Sequence, residues 1–425
     1  MSILIKNGRV IDPANKRDGI FDILIENGKI SKVAKDIKTT AKNIIDARDK
    51  IVTPGLIDMH VHLREPGRED IETVASGTAA AARGGITSIL SMPNTYPAMD
   101  SRESIRALKK IIKKDSKVNV FISGAITKER AGEKMVDMKA IKKEEVLALT
   151  DDGNPVEKGD VMFSALKKAG ENNLLLISHC EDKNLSKEGV VNEGITATKL
   201  GLRGIPRSAE YEFVKRDIEL SKKAKAKLHI AHVSCRESVE AVEKAKKQGL
   251  KVTAEVTPHH FSLDENACMN YDTRTKMNPP LRSAEDVLVI KKALKNGTID
   301  AIASDHAPHG KHEKEIEFEN AAFGIIGLET SLALAIANLV DKKIITWTKL
   351  VELMSAAPAK ILGLNKKGAL SPGYDADITI IDPETEWVYT RNTIRSKSKN
   401  SPFINRRFKG KAVCTIVCGK IVYTD

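Results

Sequence analysis

Gly55-Leu56-Ile57-Asp58-Met59-His60-Val61-His62-Leu63-Arg64 closes an apolar run with two imidazoles at i and i+2 and a guanidinium two residues further on. In a strand those two positions share a face, so both rings point the same way. Two neutral imidazoles at a strand end can hold one divalent cation, and the arginine sets a fixed positive fork beside it. Alone, a His-x-His is as often packing as ligation, so its meaning depends on where other ligands fall.

Outward from this run, between residues 55 and 308, short β-rich stretches alternate with longer amphipathic ones. This is the pattern of repeated strand-helix units in a parallel sheet. The strands read as Leu56 to Leu63, Thr87 to Asn94, Val118 to Ile126, Val146 to Asp152, Leu174 to Cys180, Leu228 to Ser234, Val252 to His259 and Ile299 to Ala307. Helical stretches fall near 72–83, 101–114, 159–170, 207–225, 236–248 and 284–296, with Leu328 to Val340 after the last strand. Eight such units fit an α/β fold of the (β/α)8, TIM-type barrel class, for which ~250 residues is typical.

The flanks differ in character. Residues 1–54 and 366–425 read as short strands with turns at Asn7-Gly8, Asn27-Gly28, Pro372-Gly373 and Cys418-Gly419. Neither flank holds enough strands to stand alone. They are expected to pair into one small β-sandwich domain built from both chain ends, beside a barrel over 55–365.

A net charge of +12 raises nucleic acid as a partner, but the lysines are scattered along helical stretches and the densest cluster, Arg395 to Lys411, lacks interleaved aromatics. Neither nucleic acid nor membrane is expected as a partner, since no apolar run approaches the ~18–20 residues of a membrane span. A cytoplasmic location is the expectation. Five cysteines without a C-x-x-C motif read as reduced thiols, with Cys414 and Cys418 both placed on a packed strand face.

A barrel of this kind carries its chemistry at the C-terminal ends of its strands. Those ends hold His60 and His62, Asn94, Asp151-Asp152, His179, His232, and Asp305-His306-Ala307-Pro308-His309. Four histidines and two carboxylates on one rim suit two adjacent zinc ions with a bridging carboxylate. Alternation turns Asp151 and Asp152 to opposite faces, so one of them bridges and the other caps a turn.

Asp58-Met59-His60-Val61-His62-Leu63-Arg64, Met92-Pro93-Asn94-Thr95, Ser178-His179-Cys180-Glu181, Ala231-His232-Val233-Ser234, Thr257-Pro258-His259-His260 and Ser304-Asp305-His306-Ala307-Pro308-His309 together resemble the class I, bacterial-type dihydroorotases of the amidohydrolase superfamily. The likeness extends to Lys397-Ser398-Lys399-Asn400-Ser401-Pro402-Phe403, similar to that family's closing segment. It implies reversible, zinc-dependent cyclisation of N-carbamoyl-L-aspartate to dihydroorotate, the third step of pyrimidine biosynthesis. It implies His60, His62 and Asp305 on one zinc, His179 and His232 on the other, and Asp152 rather than Asp151 as the bridge. Many amidohydrolases bridge with a carboxylated lysine, and Val146 to Pro155 contains none.

By the same resemblance Asp305 moves the proton between water and the ring nitrogen. Arg64, Asn94 and His309, with His62 beside them, hold the non-reacting carboxylate, and Asn278, Phe323 and Gly324 read the ring. A homodimer and an association with aspartate carbamoyltransferase are the partner expectations. His259 and His260 are expected to pack or orient near the rim, His229 and His306 to face away from the metals, and His312 to be solvated. The charged loop from Ala307 to Phe323 reads as a lid. The rival readings are another cyclic amidase of the hydantoinase or allantoinase type, and a non-catalytic scaffold of aspartate carbamoyltransferase; the latter would be expected to lack metal ligands.

Overall fold

Eight parallel strands run through the middle of the chain in the computed structural model, which describes residues 2–425. They are Leu56–Val61, Ile86–Ser91, Asn119–Gly124, Ala148–Leu149, Leu175–Ser178, Leu228–Ile230, Val252–Val256 and Ala301–Ile302, paired in sequence order. The ring closes where Val61 bridges His306 and the His62 amide donates to the His306 carbonyl at 2.9 Å. Asp58 adds a second closure, accepting the Ser304 amide at 3.0 Å.

The connecting helices begin where the sequence supplies caps. Thr73 with Ser76, Ser101 with Ser104, and Ser283 with Asp286 form reciprocal capping pairs at the starts of Val74–Arg83, Arg102–Asp115 and Ala284–Asn296. Helices Gly159–Glu171, Ser208–Ala224 and Arg236–Lys247 complete the outer layer named from the sequence. Their buried faces meet the outward apolar faces of the strands in one large core that includes Leu56, Ile89, Leu176, Ile230 and Val256.

Several strands are shorter than the sequence predicted. The eighth, expected over Ile299 to Ala307, has regular pairing only at Ala301–Ile302 before the bridge at His306. The cause lies at the ligand-bearing ends: His232 and Asp305 have φ of 34° and 48°, which breaks the pleat and turns the side chain inward.

Both chain ends form one eight-stranded sheet. Ile51–Pro54 pairs antiparallel with Ile378–Val388, so strands from before and after the barrel lie side by side. Ile5, Ile23, Val52, Ile378 and Ile416 share its apolar core. Thr379 joins this sheet to the barrel, its hydroxyl donating to the Gly85 carbonyl at 2.6 Å while it accepts the Leu56 amide. Cys414 is buried there, but Cys418 is exposed, because the strand Arg407–Val417 ends before it and Cys418 enters the turn with φ of 47°.

Candidate metal centre

The six expected ligands meet at one end of the barrel. His60 Nε2 lies 3.1 Å from Asp152 Oδ1 and 3.5 Å from Asp305 Oδ1. His62 Nε2 lies 3.1 Å from Asp305 and 3.4 Å from Asp152. His179 Nδ1 and His232 Nε2 approach the same Asp152 oxygen at 3.6 and 3.7 Å and stand 2.8 Å from each other. Asp152 therefore touches all four histidines. His60, Asp152 and His232 form one potential cation site, and His60, His62 and Asp305 another.

The donor set fits metal ions better than it fits itself. His60 Nε2 and Asp152 Oδ1 are buried without a hydrogen-bond partner although they are neighbours. Buried lone pairs converging without donors are what a cation satisfies. Burial opposes charge on His60, Asp152 and Asp305. Even so, the neighbouring imidazoles hold the Asp152 and Asp305 carboxyls below their usual range, and the two carboxylates push His60 upward.

Asp151 takes the other role the alternation allowed. Its carboxylate accepts the Ile126 and Thr127 amides at 2.8 and 3.1 Å, tying down the exit of the third strand.

Partners outside the ligand ring orient it. His62 Nδ1 donates to Asn94 Oδ1 at 2.9 Å, leaving Nε2 for the centre. His60 Nδ1 donates to Glu255 at 2.8 Å, and the other Glu255 oxygen meets His229 Nε2 at 3.2 Å. The two imidazoles hold this fully buried carboxyl down at about 2 against the desolvation that would raise it. Glu255 and Glu181, which sits 3.3 Å from His179 Nε2, were not singled out from the sequence. A charged residue in the middle of Val252-Thr253-Ala254-Glu255-Val256 was the available signal. His229, expected to turn away, is drawn into this network by Glu255 across two adjacent strands.

The remaining histidines sort as follows. His306 faces away from the centre, with Gly327 donating to Nδ1 at 3.1 Å and Nε2 directed at Glu72 at 3.2 Å. His260 accepts from Thr257 and donates to the Pro279 carbonyl at 3.0 Å, fixing the turn that carries Asn278. His259 is buried beside it, with ring centroids 4.5 Å apart, and His312 is exposed.

Arg64, in a left-handed conformation with φ of 61°, directs Nε to the Pro308 carbonyl at 3.1 Å and Nη2 to His309 Nε2 at 3.4 Å. Gly324 has φ of 117° and lies so near that an added Cβ would come within 2.6 Å of the Ala307 side chain and 3.3 Å of His309 Nε2. Only glycine fits there. The loop between Ala307 and Phe323 is fastened down. Lys314 Nζ donates to the Ala322 and Lys276 carbonyls at 2.6 and 3.3 Å, and Lys276 Nζ to those of Phe318 and Glu319.

Comparison with known proteins agrees with this geometry. A dihydro-orotase-like family profile matches residues 49–238, and an amidohydrolase family profile matches residues 277–423. The chain is 55% identical to the dihydroorotase of Elusimicrobium minutum over 99% of its own length and 97% of that protein's. The chain belongs to the dihydroorotase family. A second dihydroorotase, from Geobacter metallireducens, is 49% identical over the whole of both chains. Among solved structures, the L-hydantoinase of Arthrobacter aurescens superposes with a TM-score of 0.89 at 27% identity, covering 99% of this chain and 96% of that one. The D-hydantoinase of Bacillus sp. AR9 gives 0.87 at 26%, covering 100% and 95%. This dihydroorotase-family chain thus shares its barrel and end-built sheet with hydantoinases and its sequence far more closely with dihydroorotases. Among the described residues no helix is long and apolar enough to cross a membrane.

Proposed function

We propose that this chain is a dihydroorotase that interconverts N-carbamoyl-L-aspartate and dihydroorotate with two zinc ions. His60, His62 and Asp305 would hold one ion, His179 and His232 the other, and Asp152 would bridge them. When bound, the ions polarise an amide oxygen and activate water near neutral pH. The observation that carries the reading is the Arg64 guanidinium held against the His309 imidazole beside the six-ligand cluster, one fixed positive charge with a ring that burial keeps neutral. Dihydroorotate has a ring carboxylate that hydantoin and dihydrouracil lack, and a planar guanidinium suits it.

The residues divide the work. Arg64, Asn94 and His309 receive the non-reacting carboxylate, and the 323–324 segment with Asn278 sets the ring amides. In hydrolysis water adds to the ring carbonyl, the C–N bond breaks, and Asp305 delivers the proton to the departing nitrogen. In cyclisation Asp305 takes a proton from the ureido nitrogen, that nitrogen attacks the side-chain carboxylate carbon, and water leaves. The intact ligand set speaks against a non-catalytic scaffold. A homodimer and contact with aspartate carbamoyltransferase belong to the same reading, and light scattering with and without that enzyme tests both. Purified protein with its metal content measured should cyclise N-carbamoyl-L-aspartate. Faster turnover of hydantoin or dihydrouracil than of dihydroorotate would replace this reading with a hydantoinase.

A further inference from the structure

The segment from Ile394 to Phe403 leaves the end-built sheet between its strands Ile378–Val388 and Arg407–Val417 and reaches the barrel rim. Glu329 accepts the Arg395 and Ser396 amides at 2.8 and 3.2 Å, Glu72 accepts the Lys397 amide at 3.0 Å, and the Ser398 hydroxyl donates to the Ile71 carbonyl at 2.7 Å. These contacts deliver Asn400, 5% exposed, to the turn that follows the eighth strand.

Every polar group of the Asn400 side chain is then committed. Nδ2 donates to the Ala307 carbonyl at 2.9 Å and to the Gly324 carbonyl at 3.1 Å, and Oδ1 accepts the His309 amide at 3.2 Å. Its backbone carbonyl accepts the Ile326 amide at 3.0 Å. The bonds to Ala307 and His309 bracket Pro308, whose carbonyl holds Arg64 Nε. One side chain therefore fixes the turn on which both Arg64 and His309 rest, and the separation of that turn from Gly324.

We propose that Asn400 is a positioning residue for the substrate carboxylate, acting through the 307–309 turn. This rests on the reading that Arg64 and His309 receive that carboxylate. Without the amide, two carbonyls and one N–H lose their partner and the turn can relax. Small misplacements of a binding group are costly in rate and affinity. The reacting end of the substrate lies on the six ligands, none of which Asn400 touches, so binding should suffer more than turnover.

The test is steady-state dihydroorotate hydrolysis by metal-loaded wild type, Asn400→Ala and the near-isosteric Asn400→Asp. Asn400→Asp keeps an acceptor for the His309 amide but sets an oxygen against two carbonyls, and it answers the question if Asn400→Ala does not fold. The expected result is a KM raised roughly tenfold or more with kcat within about threefold and metal content unchanged. In an Arg64→Met background the further effect of Asn400→Ala on KM should be smaller than in wild type, with only the His309 share left, since coupled residues are non-additive. Unchanged KM in both variants, a fall in kcat alone, or full multiplication in the double variant would overturn the inference. Wild type that turns over no dihydroorotate would instead remove the proposed function itself.

Discussion

Replacing Glu255 by Gln keeps its shape and removes its charge, and the effect should appear in metal affinity. Glu255 accepts from His60 at 2.8 Å and meets His229 at 3.2 Å while 1% exposed. Hydrogen bonds to a charged group contribute about 1.5–3 kcal/mol and neutral ones about 0.5–1.5. Only His60 belongs to the proposed ligand set, so the loss there is about 1–1.5 kcal/mol, or roughly tenfold in affinity. That sits at the lower end of the ~10–100-fold typical when a ligand's outer partner is changed. Glutamine can be accommodated: its oxygen accepts from His60, and its amide donates to His229 Nε2 when His229 Nδ1 donates to Thr253 Oγ1, 2.8 Å away. Metal-free stability should also fall in Glu255→Gln, because the imidazoles stabilise the charged carboxyl, but by less than in Glu255→Ala, since the hydrogen bonds survive. Glu255→Ala, which breaks a buried charged pair, should lose about 3–5 kcal/mol. Chelator-competition titration gives metal affinity, and denaturant unfolding of the metal-free protein gives the fold. Metal affinity of Glu255→Gln within twofold of wild type would refute the argument that Glu255 tunes His60.

Asp305→Asn should lower turnover by about 10²-fold or more, the usual scale for a proton-transfer group; wild-type turnover across the pH range would remove it from that role. Arg64→Met should cost about 2–5 kcal/mol in dihydroorotate kcat/KM, as for truncation of a buried charge pair, and little for dihydrouracil; an unchanged ratio would place specificity elsewhere. Lys314, held by burial at about 7, should make stability rise with pH. An unfolded lysine keeps its proton to ~10.4, so between about 7 and ~10.4 the unfolded state binds more protons and stability grows, by on the order of 4 kcal/mol at most. Denaturant unfolding from pH 7 to 10 checks this, and Lys314→Met should flatten the rise; an equal slope in the variant would rule Lys314 out. The Lys314 and Lys276 bonds describe a closed loop between Ala307 and Phe323 that bound dihydroorotate should favour further, so proteolysis there should slow with ligand, and equal rates would count against a closing loop.

The barrel was legible because its strands are bounded apolar runs and its candidate ligands fall at their ends. His60, His62, His179, His232 and Asp305 could be named from that rule, which left Asp151 and Asp152 as alternatives that only the family resemblance separated. What the rule missed depends on contacts between distant segments. Glu255 reaches His60 across the barrel interior, and Asn400 meets His309 from an excursion of another sheet. Strand lengths were overestimated because propensity continues through Asp305 and His232 while their left-handed backbone leaves the ladder. The pair Val191–Asn192 with Gly204–Ile205, between the fifth strand and its helix, had no periodic signal in two-residue strands.

The sheet made from both chain ends has a consequence for synthesis. Ile51 pairs with Ile381, and Ile3 through Val52 belong to a core that also needs Ile378 and Ile416. At ~5–20 residues per second, the 330 residues separating Ile51 from Ile381 take roughly 15 to 65 seconds to emerge. For that interval the first strands present an unpaired apolar edge, a template for pairing with other nascent chains. Emergence of the strands that carry Ile381 and Ile416, rather than barrel closure, is then the event that covers this edge.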